Sequence, residues 1–265
     1  MRVCRAKIDL LQEVQPGAFL LGLAAPGISH EARPGQFYML KIGEEADPFL
    51  PRPFSWLRRG PQASCNGDRV EILFQVVGKG TARLARMPLG EELQVLGPLG
   101  RGWEFDTGGF PLLLGGGIGA ASLISLLEEL PPKLRLDSWA LVGARSGNQL
   151  WCGEEMSRMG AKVMLASQDG LKGFHGTVLE LLKHEQDSLL RAGTEVFACG
   201  PWEMLRQVAL WASSKGLPCQ ISVETPMACG VGVCLGCAVR LSGSRGYVRA
   251  CQEGPVFRAE EIEWD

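Results

Sequence analysis

Residues 225–241 read TPMACGVGVCLGCAVRL and place Cys229, Cys234 and Cys237 in one short stretch; Cys251 follows in RACQEGPVF. The spacing is C-x4-C-x2-C, then thirteen residues, then C, the pattern of a plant-type [2Fe–2S] cluster. Such a cluster needs three ligands from a single loop that wraps it, so that backbone amides can face its sulfides. Gly230, Gly232 and Gly236 let the chain bend and approach closely, and Cys251 closes the site from a following hairpin. Structural zinc is the competing occupant. It usually takes two short C-x2–4-C pairs, and here the second is missing. Unligated core cysteines are the bland alternative. Of the other five cysteines, Cys4, Cys65, Cys152 and Cys219 read as small buried apolar residues. Cys199 belongs to a different motif.

Three further stretches could do chemistry. In LLLGGGIGAASLISL, Gly115, Gly117 and Ala120 satisfy G-x-G-x-x-G/A, with Gly119 inside the turn. A helix N-terminus behind such glycines offers free amides and a dipole to a pyrophosphate, and a tight strand–helix turn would look the same. The acidic ribose contact usual at the end of the next strand is absent; that strand runs out as Val142-Gly143-Ala144-Arg145-Ser146. Arg145 faces either an adenosine phosphate or solvent. In FACGPWEML, Cys199, Gly200 and Pro201 end a strand and precede a helix, where open α/β sheets bind ligands and where small residues leave room for a flat ring. Buried packing is the alternative. In PRPFSW, Arg52 offers a fork of donors, Phe54 a flat face and Ser55 a hydroxyl. GKGT then leads into a short helix. Each of these last two, alone, also reads as ordinary turn chemistry.

The elements that must position these residues fall into three regimes. Residues 1–105 hold short apolar runs such as GQFYMLKI and RVEILFQVV, punctuated by Gly and Pro, which predicts an antiparallel barrel or sandwich with one short helix, in TARLARM. Residues 106–222 alternate apolar strands (PLLL, DSWALVGA, AKVMLAS, EVFACG) with helical stretches (ASLISLLEEL, TVLELLKHE, WEMLRQVALWASSKG). That rhythm predicts a parallel sheet with helices. Residues 223–265 are cysteine- and glycine-rich and too few for a large core, so a metal centre would organise them.

Composition narrows the classes. The chain has 265 residues, 46% hydrophobic and 21% charged, and a net charge of -2. A core of useful size follows, and a nucleic-acid partner is not expected. No apolar run reaches the roughly 20 residues of a membrane span. MRVCRAKIDL lacks an apolar signal core, so a cytoplasmic protein is the simplest expectation. Nine cysteines then point to metal or redox use rather than disulfides. The histidines His30, His175 and His184 are scattered, which argues against a histidine metal site.

The ordered set R-x-x-S, G-x-G-T, GGGIG, CGP and C-x4-C-x2-C…C resembles the ferredoxin–NADP reductase superfamily. Within it, MACGVGVCLGCAV and ACQEGPVF resemble the electron-transfer subunits of bacterial NAD-linked dihydroorotate dehydrogenases, over nearly the whole chain. The resemblance implies an FAD-binding barrel (1–105), an NAD-binding α/β domain (106–222) and a cluster module (223–265). It implies FAD contacts at Arg52, Pro53, Phe54, Ser55, Leu73, Phe74, Gln75, Gly80 and Thr81. It implies cluster ligation by Cys229, Cys234, Cys237 and Cys251, and no acid–base catalytic residue. Phe54 stands where the superfamily often has Tyr, Gln75 where the family often has Arg, and Ser122 where a proline is usual. The implied partner is an FMN-containing catalytic subunit, two copies of each chain in the complex. Sulfide, sulfite, hydrogenase and transhydrogenase reductase subunits share the motifs and are rivals. A non-enzymatic module that kept the fold is a rival of another class.

Overall fold

The computed structural model describes residues 1–43, 47, 49–62, 65–106, 108–243 and 246–264, the side chains of 61, 62 and 65–67 excepted. The N-terminal part is a closed antiparallel barrel. Its strands are β1 (Arg2–Gln15), β2 (Ala18–Ala24), β3 (Phe37–Lys41), β4 (Arg52–Gln62), β5 (Cys65–Gln75) and β6 (Glu92–Leu99), in the order β1-β2-β5-β4-β3-β6. Closure comes from β1 against β6, where Arg2 faces Gly97 and Lys7 faces Glu92. β6 shows why such sequences fold this way. Leu93 and Val95 are buried while Glu92 and Gln94 are exposed, the period of two that puts one face inside. Trp56, Tyr38, Leu40 and Ile72 fill the interior. The helix α1 (Lys79–Leu84) covers one end. The sequence left barrel and sandwich open, and the closed form removes the exposed strand edges.

The second part is a seven-stranded sheet. Its elements are β7 (Phe110–Gly116), α2 (Ala121–Glu129), α3 (Pro132–Asp137), β8 (Trp139–Ala144), α4 (Trp151–Arg158), β9 (Lys162–Ser167), β10 (Phe174–His175), α5 (Val178–Leu189), β11 (Thr194–Cys199), α6 (Trp202–Ser214) and β12 (Cys219–Ser222). The strands from β7 to β12 pair in parallel. β7 is buried along nearly its whole length, as a parallel strand covered on both faces must be. Helices α3 and α4 are additions to the sequence reading. Pro132 sits at the start of α3, where its missing N–H costs nothing, so the prolines that stop α2 also begin the next helix.

The C-terminal part carries β13 (Ala238–Arg240), β14 (Tyr247–Arg249) and β15 (Val256–Arg258). β13 and β14 form a small hairpin. β15 instead joins the large sheet antiparallel to β12, Ile221 facing Phe257. Barrel and sheet are also joined directly. Trp103 Nε1 donates to the Ser122 carbonyl at 3.3 Å, and the Gly35 amide to Ser125 Oγ at 3.3 Å. Arg58 pairs with Glu155 on α4, and Arg59 with Glu129 on α2.

Candidate functional site

The four cysteines converge from two segments. Cys229, Cys234 and Cys237 lie on the loop between β12 and β13, and Cys251 lies just after β14. Cys237 and Cys251 are buried, Cys229 half-buried and Cys234 exposed. The turns need backbone that few side chains allow: Gly230 and Gly232 have φ of +69° and +78°, and Leu235 adopts +59°. The four thiols lie close enough to act on one another's charge, Cys229 with Cys234 and Cys251 with both Cys237 and Cys229. Among the described residues no three Cys, His, Asp or Glu side chains close on a single ion position. The C-x4-C-x2-C…C spacing suits a [2Fe–2S] cluster, whereas structural zinc usually takes two short C-x2–4-C pairs. Burial alone would push the Cys229 thiol up. The amides of Cys234, Val231 and Val233 outweigh it and bring the thiol down to about 6. The Val231 amide lies 3.4 Å from the sulfur. Cys251 goes the other way, to about 12, through burial and its neighbour Cys237. The thiolate that a metal needs is therefore favoured first at Cys229.

The loop rests on the barrel. A Cβ on Gly230 would lie 2.6 Å from Met39 Cγ and 3.1 Å from Leu99 Cδ1, so only glycine fits this contact. Met39 pairs with Pro53 across β3 and β4. The cysteine loop and the R-P-F-S strand are thus separated by one strand of the barrel.

On that strand, Arg52 to Ser55 are all half-buried. The Arg52 guanidinium lies against Gly80, where an added Cβ would meet its Nε at 2.8 Å. Two motifs that are nearly thirty residues apart in the chain therefore meet at the start of α1. Leading amides of a helix have no partner within it, and Gly80 and Thr81 stand in that first turn, at the junction with Arg52. The Thr81 hydroxyl is already used: it accepts from the Val77 amide at 2.9 Å and donates to the Gly78 carbonyl at 3.1 Å. Its contribution to a bound phosphate would come from its backbone. Leu73 and Phe74 are buried on opposite faces of β5, and Gln75 is half-buried. Phe74 packs inside the barrel on Phe19, ring centres 5.7 Å apart, and edge-on to Phe54 at 6.0 Å. Phe54 rather than Phe74 is the aromatic ring with a partly open face. The junction holds an arginine fork, helix amides and a flat ring, which fits a flavin nucleotide.

In the α/β part, Gly115 on β7 pairs with Cys199 on β11, so GGGIG and CGP lie side by side at the carboxyl ends of neighbouring strands. They touch backbone to backbone. A Cβ on Gly119 would meet the Gly200 Cα at 2.9 Å, and one on Gly116 would meet Pro201 Cδ at 2.8 Å. A 3-10 turn, Gly117–Ala120, intervenes before α2, and Gly117 has φ of +54°. Burial pushes the Cys199 thiol up to about 12, so it stays neutral as part of the floor. Cys152 and Cys219 are buried and Cys4 is half-buried; the Cys65 side chain lies outside the described residues.

Beyond β8, Arg145 is exposed. Asp169, on the turn after β9, stands beside its neighbours Ser146 and Gly147: its carboxylate accepts from the Gly147 amide at 3.1 Å and from the Leu171 amide at 3.0 Å. The Ser146 hydroxyl first, then these amides, hold its carboxyl down to about 2. An acidic group therefore does stand at the end of β8, supplied by the adjacent strand. The sequence reading looked only along β8 and missed it; the signal was the SQDG turn of residues 167–170.

A closed barrel followed by a parallel nucleotide-type sheet defines the ferredoxin-reductase class of FAD- and NAD(P)-linked folds. A ferredoxin NADP+ reductase from Neisseria gonorrhoeae, solved with FAD and NADP, superposes with a TM-score of 0.62 over 82% of this chain and 92% of its own, at 18% identity. An NADH-dependent reduced ferredoxin-NADP oxidoreductase, studied for flavin-based electron bifurcation, superposes with a TM-score of 0.81 over 98% of this chain and 90% of its own, at 28% identity. Residues 224–263 match the family model described as the iron–sulfur cluster binding domain of dihydroorotate dehydrogenase B. The dihydroorotate dehydrogenase B (NAD(+)) electron transfer subunit of Desulforamulus reducens is 37% identical over 100% of this chain and 99% of its own. That of Geobacillus thermodenitrificans is 34% identical over 91% of each. The chain belongs to this family of electron transfer subunits and is an oxidoreductase component.

Proposed function

We propose that the chain relays electrons from a partner subunit, which oxidises dihydroorotate on its own FMN, to NAD in pyrimidine biosynthesis. A [2Fe–2S] cluster on Cys229, Cys234, Cys237 and Cys251 and an FAD on the barrel would carry them. When bound, the cluster supplies one-electron transfer and the flavin couples such steps to hydride transfer. The residues bind and orient. Arg52 and the amides at Gly80 and Thr81 would neutralise the flavin phosphates. Pro53, Phe54 and Ser55, with the backbone of Leu73, Phe74 and Gln75, would line the ring. Gly115, Gly117 and Gly119 with Cys199, Gly200 and Pro201 would leave the flat space that a nicotinamide needs. Asp169 would face the adenosine ribose and disfavour a 2′-phosphate, which supports NAD over NADP. No side chain is required as acid or base. We keep the divisions at 105/106 and 222/223, a cytoplasmic location and a complex of two copies of each subunit as parts of this proposal.

The observation that carries the reading is the seating of Gly230 on Met39, one strand from Arg52–Ser55. It supports a cluster loop lying beside the flavin strand. On the outer side Val233 and Leu235 are 79% and 62% exposed, an apolar edge suited to a partner surface, while Ala228 and Val231 are half-buried. Among the described residues no helix is long and apolar enough to cross a membrane. The test is co-expression with a flavin dehydrogenase subunit. Dihydroorotate should reduce this chain's FAD only in the complex. Reduction by the isolated chain, or a complex in which the FAD stays oxidised, would overturn the relay.

A further inference from the structure

Arg249 does something that the four ligands do not explain. It lies at the end of β14, two residues before Cys251. Its Nε is 3.2 Å from Glu253 Oε2, and its Nη2 bonds Glu253 Oε1. The Arg249 amide also donates to Glu253 Oε2, at 2.7 Å. The remaining arm reaches across to the cysteine loop, where Nη1 donates to the Gly232 carbonyl at 3.2 Å. The fork is therefore fixed by one carboxylate and spends its third nitrogen on the loop.

That carbonyl lies on the loop between Cys229 and Cys234. It follows directly after Val231, whose amide donates to the Cys229 sulfur at 3.4 Å. Gly232 has φ of +78°, and a Cβ there would lie 2.7 Å from Gln252 Cγ and 3.0 Å from Arg249 Nη1. The loop has been kept clear for this contact. Amide donors to ligand sulfurs and nearby positive charge stabilise the reduced, more negative cluster.

We propose that Arg249 is a positioning residue for the cluster: clamped by Glu253, it ties down the Gly232 carbonyl, next to the Val231 amide that donates to Cys229, and sets a guanidinium beside that loop, and so raises the cluster's reduction potential. This rests on the ligation proposed above. Lysine cannot replace it, because a point charge cannot bond Glu253 and the Gly232 carbonyl in one fixed fork. Glu253 acts in the opposite sense on charge, since it offsets the guanidinium.

The test is a reductive titration of the purified holoprotein, followed by electron paramagnetic resonance of the reduced cluster, with iron content measured in parallel. Arg249→Met should shift the one-electron equilibrium about tenfold toward the oxidised cluster, which is about 59 mV more negative. Arg249→Lys should shift it the same way by less. Glu253→Gln should shift it upward. A purely structural role would not give opposite signs for the two partners. If Arg249→Met loses its iron while keeping its flavin, the clamp is supported, and the signs for Arg249→Lys and Glu253→Gln decide the potential. Unchanged potentials in all three with iron retained, or shifts of the same sign for Arg249→Lys and Glu253→Gln, would overturn the inference. Absence of iron from the parent protein would instead sink the ligation itself.

Discussion

The barrel and the cysteine loop are held by different means. In the barrel, Trp56, Leu40 and Ile72 are fully buried, and six strands close on one another. The residues that would meet a flavin sit on a frame that exists without it. The loop from Glu224 to Gly236 has no regular element and rests on Gly230, on Arg249 and on its sulfurs. A pre-formed site can lose its ligand and stay folded, whereas a site built by its ligand cannot. The first change to test is therefore the one that breaks the frame. Trp56→Ala should cost about 3–5 kcal/mol, lowering the melting temperature of the whole chain and releasing the flavin. A melting curve with flavin fluorescence checks both.

The complementary change breaks only the loop. Cys234→Ser should abolish the visible cluster absorbance and the transfer of electrons from the partner, because the few apolar residues here cannot offset the ordering entropy. Hydrogen exchange should then rise in residues 224–251 and not in the barrel. A barrel that loosens equally would show that the two regions are one cooperative unit. Arg52→Ala sharpens the contrast from the other side. Losing a charged hydrogen-bond donor, worth about 1.5–3 kcal/mol, should weaken FAD about tenfold to a hundredfold while leaving the iron content unchanged.

Smaller effects belong to the edges of the frame. Asp169→Ser should raise the binding of NADPH relative to NADH severalfold, read from nucleotide titrations; an unchanged ratio would shift attention to Arg145. The smallest concerns Glu128, on the α2 face that meets the barrel. Burial raises its carboxyl from 4.5 to about 7, against the Arg59 amide and the Arg58 and Arg59 charges, which lower it. The folded value lies above the unfolded one. Its contribution is therefore present in full below about pH 4.5 and lost as pH rises through about 7. Glu128→Gln should remove that part of the slope, measured by denaturation at several pH values.

What the sequence determined by itself is local. The spacing of Cys229, Cys234 and Cys237, the GGGIG turn and the alternation of strands with helices depend on neighbours a few residues away, and each was legible as written. α4 was not, because it is only eight residues long and holds Gly153, a poor helix former. Closure of β1 on β6 joins residues 85 to 95 positions apart, and nothing local separates that from a sandwich. Asp169 on the Gly147 amide, Gly119 against Gly200, Gly230 on Met39 and Arg249 on Gly232 are likewise contacts between segments. β15 shows the same limit, since it lies within the expected 223–265 module yet pairs with β12 of the large sheet. Spacing along the chain selects the ligands of a site. Which peptide faces which sulfur, and which carboxylate faces which ribose, is decided only when distant strands are brought into register, because such contacts form after the chain has folded and leave no periodic trace in it.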